Sequence, residues 1–308
     1  IKIKTELIKY PAGKSLKKFQ LPNGVKSLDR YSFCNCSNLT SINIPESVTY
    51  IGIGAFYLCT NLKSIAIPDS VTKIENITFT GCSSLTSISI PESVTYIGLN
   101  AFKDCTSLTS IYIPDSVTLT GLSGTFSGCT SLTNVKLPDV IYIINTNTFA
   151  GCSSLLNIII PDSVTSIKEC AFEGCKSLTN IAIPESVTKK ELAFKDCTSL
   201  KSIAINNPDC EISNDKDTIP ETAVIYGYKN STAQTYAESF NRKFISLEEI
   251  GDISGNGEID LYDAIEIAKA IMGLRTFTAE EMIIADFNMD GTVDLYDAIE
   301  IARTLLPK

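Results

Sequence analysis

Residues 84–106 read SLTSISIPESVTYIGLNAFKDCT, and variants of this 23-residue unit recur in register along the chain. Aligned on leucine, the ladder runs Leu16, Leu39, Leu62, Leu85, Leu108, Leu132, Leu155, Leu178 and Leu200, in steps of 23 residues with one of 24 and one of 22. Proline keeps the same phase from Pro22 to Pro184, phenylalanine from Phe33 to Phe194, and cysteine from Cys36 to Cys197. A period of this length marks a repeat architecture: one unit cannot bury its apolar face alone, but stacked units can.

Within the unit, Leu85-Thr-Ser-Ile88-Ser-Ile90 ends in apolar–polar alternation, as in a short strand with one buried face. Pro91 stops that strand because it has no N–H to offer a ladder. Val94 and Ile97 suit a second short extended piece, and Gly98 and Asn100 turn the chain. Ala101, Phe102 and Cys105 then return inward from a tight helical turn. The expected fold is a solenoid, mainly β with short helical turns.

Eight of the 11 cysteines stand at one position of the unit, which admits three readings. The leading one is a buried, reduced stripe of small apolar side chains. The second is bridging between adjacent coils, which are close enough although their equivalent side chains run parallel. The third is zinc, with no histidine in the chain and no tight cysteine pair facing another. Cys34, Cys170 and Cys210 fall outside the ladder. The lack of histidine removes Ser-His-Asp and Cys-His nucleophile systems, and no paired carboxylates sit in a pocket-forming context, so no enzyme is expected. The outward strand positions are mostly small, as in Ser41, Ser64, Ser87 and Ser110. Tyr112, Lys136 and Ile159 stand out as a candidate patch for a second protein or a polysaccharide.

This recurrence resembles the BspA-like leucine-rich repeats of bacterial surface and secreted proteins, over about residues 10–245. The flanking stretches LIKYPAGKS (7–15) and TAVIYGYKNSTAQTYAESFNRKF (222–244) resemble that family's caps. In the latter a helix is expected, starting near Ser231 or Thr232 with Ala233, Tyr236, Ala237 and Phe240 on one face.

The rest of the chain carries a different signal, present twice. Asp252–Ala268 reads DISGNGEIDLYDAIEIA, and 34 residues later Asp286–Ala302 reads DFNMDGTVDLYDAIEIA. Oxygen-bearing side chains at alternate positions, a Gly at the sixth and an Asp at the twelfth are what a loop needs to wrap one Ca²⁺. In loop one the ligands are Asp252, Ser254, Asn256, the carbonyl of Glu258, Asp260 (directly or through water) and Asp263. In loop two they are Asp286, Asn288, Asp290, the carbonyl of Thr292, Asp294 and Asp297. Gly257 and Gly291 take the sharp turn, and Ile259 and Val293 pack inward. With Ser254 in place of a carboxylate or amide, loop one is expected to bind the more weakly. Apolar-periodic helices follow, with Ile265, Ala268, Ile271 and Met272 in one and Ile299, Ala302, Leu305 and Leu306 in the other. Between them Thr278 and Glu281 form a capping box. Of the net charge of −9, −8 lies here: residues 251–308 hold 12 acidic and 4 basic residues.

The order loop–helix, helix, loop–helix and the 34-residue duplication resemble a type I-like dockerin, a small all-α module, over about residues 250–308. The resemblance implies two Ca²⁺ ions and a cohesin module of a scaffold protein as partner. It places the contact at loop positions ten and eleven and further along the helices: Leu261, Tyr262 and Lys269 in the first copy, Leu295, Tyr296 and Arg303 in the second. LYDAIEIA is identical in both copies, although neither calcium nor a core demands Tyr262 and Tyr296 or Glu266 and Glu300. Two matching exposed surfaces would suit a partner that docks on either.

The organisation expected is a repeat solenoid with caps over 1–245 and a dockerin over 250–308. The function expected is that of a non-catalytic subunit of an extracellular cellulosome-type complex, secreted by an anaerobic bacterium. An adhesin binding host or plant cell-wall polymers through the repeat face is the alternative. No basic patch suggests nucleic acid, no apolar run is long enough to span a bilayer, and IKIKTELIKY does not read as a signal peptide.

Overall fold

The computed structural model describes residues 6–7, 10, 17–120, 122–288 and 292–306. The chain is a β-solenoid followed by a few helices, and it divides into two compact units. The first comprises Ile1–Thr179, Pro184–Leu200 and Glu211–Glu221, and the second Asn180–Ile183, Lys201–Cys210 and Thr222–Lys308.

In the first unit each coil contributes up to two short strands, and every pairing is parallel with a register of one repeat. Ser41–Asn43 lies between Lys18–Gln20 and Ser64–Ile65, and Ser110–Tyr112 pairs with Asn134–Lys136. The second extended piece builds its own ladder, as in Lys73–Ile74, Tyr96–Ile97 and Leu119–Thr120. In the coil of residues 84–106 the first piece, expected as a strand, is reduced to a single parallel bridge from Ser89 to Ala66. The expected helical turn is a run of consecutive tight turns: Ala101 N–H donates to the Gly98 carbonyl, Lys103 to Asn100 and Cys105 to Phe102. Asn100 and Asp104 sit in the left-handed region at φ 53° and 58°, which suits these residue types and breaks the run before a helix can propagate.

The core of this unit is a column of rings. From Phe33 to Phe194 successive phenylalanines are wholly buried and stack at centroid distances of 5.2–5.7 Å with interplanar angles of 2–14°. Beside it runs the cysteine ladder, whose eight thiols form no disulfide. Each ladder thiol from Cys59 to Cys197 donates to the carbonyl of the phenylalanine one coil back, for example Cys105 Sγ to Phe79 O at 3.2 Å. Burial pushes the Cys82, Cys129 and Cys197 thiols up to about 12, so they stay protonated at neutral pH. The leading reading of the ladder holds, with one addition: the sulfur also satisfies a buried carbonyl that an alanine would leave without that donor.

In the second unit four parallel strands form one sheet, in the order Asn180–Ile183, Ser202–Ile205, Val224–Gly227 and Phe244–Ser246. Helix α1 (Thr232–Ser239) covers its end, capped by Ser231 Oγ accepting from Gln234 N–H at 3.2 Å, with Ala233, Tyr236 and Ala237 buried. The cap stretch 7–15 lies outside the described residues except for Leu7 and Tyr10, as does Leu16.

Three further helices follow: α2 (Leu261–Ile271), α3 (Ala279–Ala285) and α4 (Leu295–Thr304). Thr278 caps α3 through the expected box with Glu281. Helices α2 and α4 share a small core of Ile253, Ala264, Ile267, Ala285, Ala298 and Ile301, with Ile259 and Val293 packed against it. A second cluster joins this region to the sheet within the same unit: Ala204, Tyr226 and Ile250 are buried together, flanked by Val224, Ile245, Ile283 and Phe287. Gly251, at φ +92°, allows that approach, since a Cβ there would stand 2.7 Å from the Phe287 ring. Among the described residues no helix is long and apolar enough to cross a membrane.

Candidate functional site

Each calcium-type loop ends in a wholly buried carboxylate, Asp263 or Asp297. Both are held the same way. Asp263 Oδ1 accepts from Ser254 N–H at 2.9 Å and Oδ2 from Asp260 N–H at 2.8 Å. Asp297 accepts from Asn288 N–H at 3.1 Å and from Asp294 N–H at 2.8 Å. The twelfth residue thus draws the loop's third and ninth positions together, before any ion is considered. The ninth residue then starts the helix, with Asp260 and Asp294 accepting from Tyr262 N–H and Tyr296 N–H at 2.6 and 2.7 Å.

In loop one, Asp252 Oδ1 accepts from Asn256 N–H and from Ser254 Oγ, and its Oδ2 accepts from Gly257 N–H at 2.7 Å. Asn256 Oδ1 accepts from Glu258 N–H at 2.7 Å. Gly257 has the positive φ (+87°) that the turn needs. The Glu258 side chain is exposed, as befits a position that would contribute its carbonyl. In loop two Asp286 is buried and Thr292 is exposed, while Asp290 and Gly291 lie outside the described residues. Among the described residues no three acidic or thiol side chains form a closed metal cluster. One oxygen of Asp260 is engaged in its helix cap, which matches a ninth ligand acting through water. The donors are all hard oxygens, and the buried Asp263 has no basic partner among the described residues. That set fits Ca²⁺, which would supply the missing positive charge, with Asp252, Asn256 and Asp263 holding it in loop one.

The surfaces beside the loops are apolar. Leu261 and Tyr262 are 59% and 54% exposed, and Leu295 and Tyr296 are 57% and 68% exposed. The periodic residues of the helices correct the phase that their spacing suggests. Ile265, Ile271, Met272, Leu305 and Leu306 are exposed, while Ala264 and Ile267, and Ala298 and Ile301, face the core. The reason is the twelfth-position Asp. It must point into the loop, and the residue four places later, Ile267 or Ile301, shares its face.

A second correction concerns Glu266. Identity between the copies suggests an exposed residue, but Glu266 is only 6% exposed. Lys269 Nζ reaches its Oε1 at 2.6 Å and Arg275 Nη1 bonds Oε2, while Arg275 Nη2 binds Glu281 at 2.6 Å. These hydrogen bonds, from Lys269 first and then Arg275, hold the Glu266 carboxyl below its ordinary range. Lys269 also lies 5.6 Å from the Tyr262 ring centroid. In the second copy Glu300 and Arg303 are exposed. Nothing in the repeated motif announces this network, because Arg275 lies beyond the duplicated segment.

On the repeat face, Tyr112 and Lys136 are register partners, with the amine 5.5 Å from the ring centroid and 4.0 Å from Asp115. Tyr112 is 47% and Ile159 86% exposed. Asp115 is the member of this group that the strand pattern misses, since it stands past the proline that ends the strand.

Two family descriptions match separate parts of the chain. The description "BspA type Leucine rich repeat region" matches residues 9–124 and 120–216 in six copies. The chain belongs to the BspA-type leucine-rich repeat family. Residues 250–306 match the dockerin type I domain, a calcium-binding module that implies a cohesin partner. Both are non-catalytic modules. A leucine-rich repeat protein from Bacteroides ovatus is 22% identical, with a TM-score of 0.50 over 74% of this chain and 91% of its own, and shares the fold. One from Eubacterium ventriosum is 32% identical over 56% of this chain and 46% of its own, at a TM-score of 0.47. The T. pallidum leucine-rich repeat protein is 29% identical over 56% of this chain and 88% of its own, at a TM-score of 0.49. No curated protein matches the sequence.

Proposed function

We propose that this BspA-type chain is a non-catalytic subunit of an extracellular cellulosome-type complex, secreted by an anaerobic bacterium. In this reading residues 1–245 are a repeat module, and residues 250–308 plug into a scaffold cohesin once two Ca²⁺ ions have set the loops. The observation that carries it is the pair of exposed Leu-Tyr steps, Leu261–Tyr262 and Leu295–Tyr296, at the start of α2 and α4. Each step sets two large apolar side chains at the surface, and Tyr is among the residues that dominate binding energy at protein interfaces. Titration of the full chain with a panel of cohesins, with and without EDTA, tests it. Tight binding that needs calcium and disappears in the Tyr262→Ala/Tyr296→Ala variant is expected. Binding to no cohesin, or binding indifferent to EDTA, overturns it.

The exposed Tyr112 and Ile159 favour a second role for the repeat face, as a display surface for a protein or as an adhesin toward wall or host polymers. Retention on cellulose, xylan, starch or matrix proteins, reduced by Tyr112→Ala/Ile159→Ser, supports the adhesin. No retention on any of them leaves a protein ligand or a spacer.

A further inference from the structure

The two copies of LYDAIEIA are the same in sequence and different in surroundings. In the first, the basic residue two turns along from the tyrosine is already engaged: Lys269 holds Glu266 at 2.6 Å and packs near the Tyr262 ring. Glu266 is fixed from its other side by Arg275, which is itself held by Glu281. A partner carboxylate approaching α2 would have to draw Lys269 away from a charge-assisted bond that is already formed. In the second copy, Arg303 stands at the same spacing from Tyr296, with its side chain exposed and no ion pair among the described residues. Glu300 between them is exposed too, and Tyr296 is 68% exposed against 54% for Tyr262. A guanidinium also offers a partner carboxylate two parallel donors, where an ammonium offers a point charge.

Resting on the cohesin reading above, we infer that the two surfaces are unequal: α4, through Leu295, Tyr296 and Arg303, is the docking helix, and the Glu266–Lys269–Arg275–Glu281 network holds the α2 copy out of use. The partner surface that fits α4 pairs an apolar patch for the Leu-Tyr step with a carboxylate for Arg303. Sequence identity alone would give two equivalent modes related by a half-turn.

Single substitutions separate these cases. With two equivalent modes, loss of one lowers the association constant by only about twofold, because the other still operates. With one dominant mode, truncating its tyrosine or arginine removes a hot spot and lowers affinity by at least about tenfold. The experiment is calorimetric titration of the full chain, in calcium, with a cohesin that binds the unaltered protein. The variants are Tyr296→Ala, Arg303→Ala, Tyr262→Ala and Lys269→Ala, each checked for an unchanged circular dichroism spectrum and calcium response. Losses of at least about tenfold for the α4 pair and within about twofold for the α2 pair are expected. In a Glu266→Gln background, which releases Lys269, the Tyr296→Ala loss should shrink toward twofold. Losses of about twofold or less for all four single variants, or the larger losses on α2, overturn the inference and leave the cohesin reading standing. A Tyr296→Ala loss unaltered by Glu266→Gln removes the network as the cause. Failure of the unaltered chain to bind any cohesin overturns the underlying reading instead.

Discussion

The repeat coils and the paired loops of this chain solve the same problem, holding short irregular segments in place, with opposite chemistry. In the coils the turns are fixed by neutral groups. Phe102 stacks between Phe79 and Phe126, Cys105 donates to the Phe79 carbonyl, and Ser93 Oγ donates to the Val71 carbonyl at 2.8 Å. Each coil is satisfied by its neighbour, so stability is close to a sum of repeat and interface contributions. In the loops the turns are fixed by carboxylates accepting backbone N–H bonds, with Asp263 and Asp297 buried. Gathering that much negative charge raises the energy of the empty loop until a cation arrives. We therefore expect the array to carry its own stability and the module to depend on a bound cation.

The comparison can be broken by testing each side with a substitution the other would tolerate. The largest effect belongs to the ring column. Phe102→Ala leaves a cavity between two buried rings and should cost about 3–5 kcal/mol, read from denaturant unfolding of the array, with no change in calcium response. Next comes Asp263→Asn. The amide has one accepting oxygen, so either the Ser254 or the Asp260 N–H meets an NH₂ group. The cost should be about 1–3 kcal/mol in the loop module, together with a loss of calcium-induced stabilisation for loop one, read by calorimetry. The array should not move.

The smallest effect is a pH dependence of opposite sign on the two sides. The ladder thiols have folded values raised above 9.0, to about 12 for Cys82 and Cys129. The stability they contribute is full below pH 9.0 and falls as pH rises toward about 12. Glu266 and Glu281 have folded values lowered from 4.5, so their contribution is full above pH 4.5 and is lost as pH falls through the lower folded values. Alkaline titration should loosen the array first and acid titration the helices, as read from ring-environment and backbone circular dichroism.

How much of this was legible in the sequence follows the same division. The period of 23 fixed which residues are core, because every coil repeats the same burial: Leu85, Val94, Ile97, Phe102 and Cys105 are all wholly buried. The form of the loops was legible from spacing: Gly257 takes the positive φ, and Asp263 and Asp297 are buried at the twelfth position. The helix faces were not, since hydrophobicity pointed to Ile265 and Met272 while the buried carboxylate of Asp263 sets the phase through Ala264 and Ile267. Glu266 was unreadable for a different reason: its second partner, Arg275, arrives after the chain turns at Gly273, where φ is +73°. The joining cluster of Tyr226, Ile250 and Phe287 was equally hidden, since three residues so far apart in sequence carry no shared pattern.

The claim that the array is self-sufficient and the module conditional is tested most directly by scanning calorimetry of the full chain in calcium and in EDTA. Two transitions are expected, of which chelation lowers or abolishes only the one assigned to residues 250–308. A single transition that EDTA shifts as a whole would contradict the account.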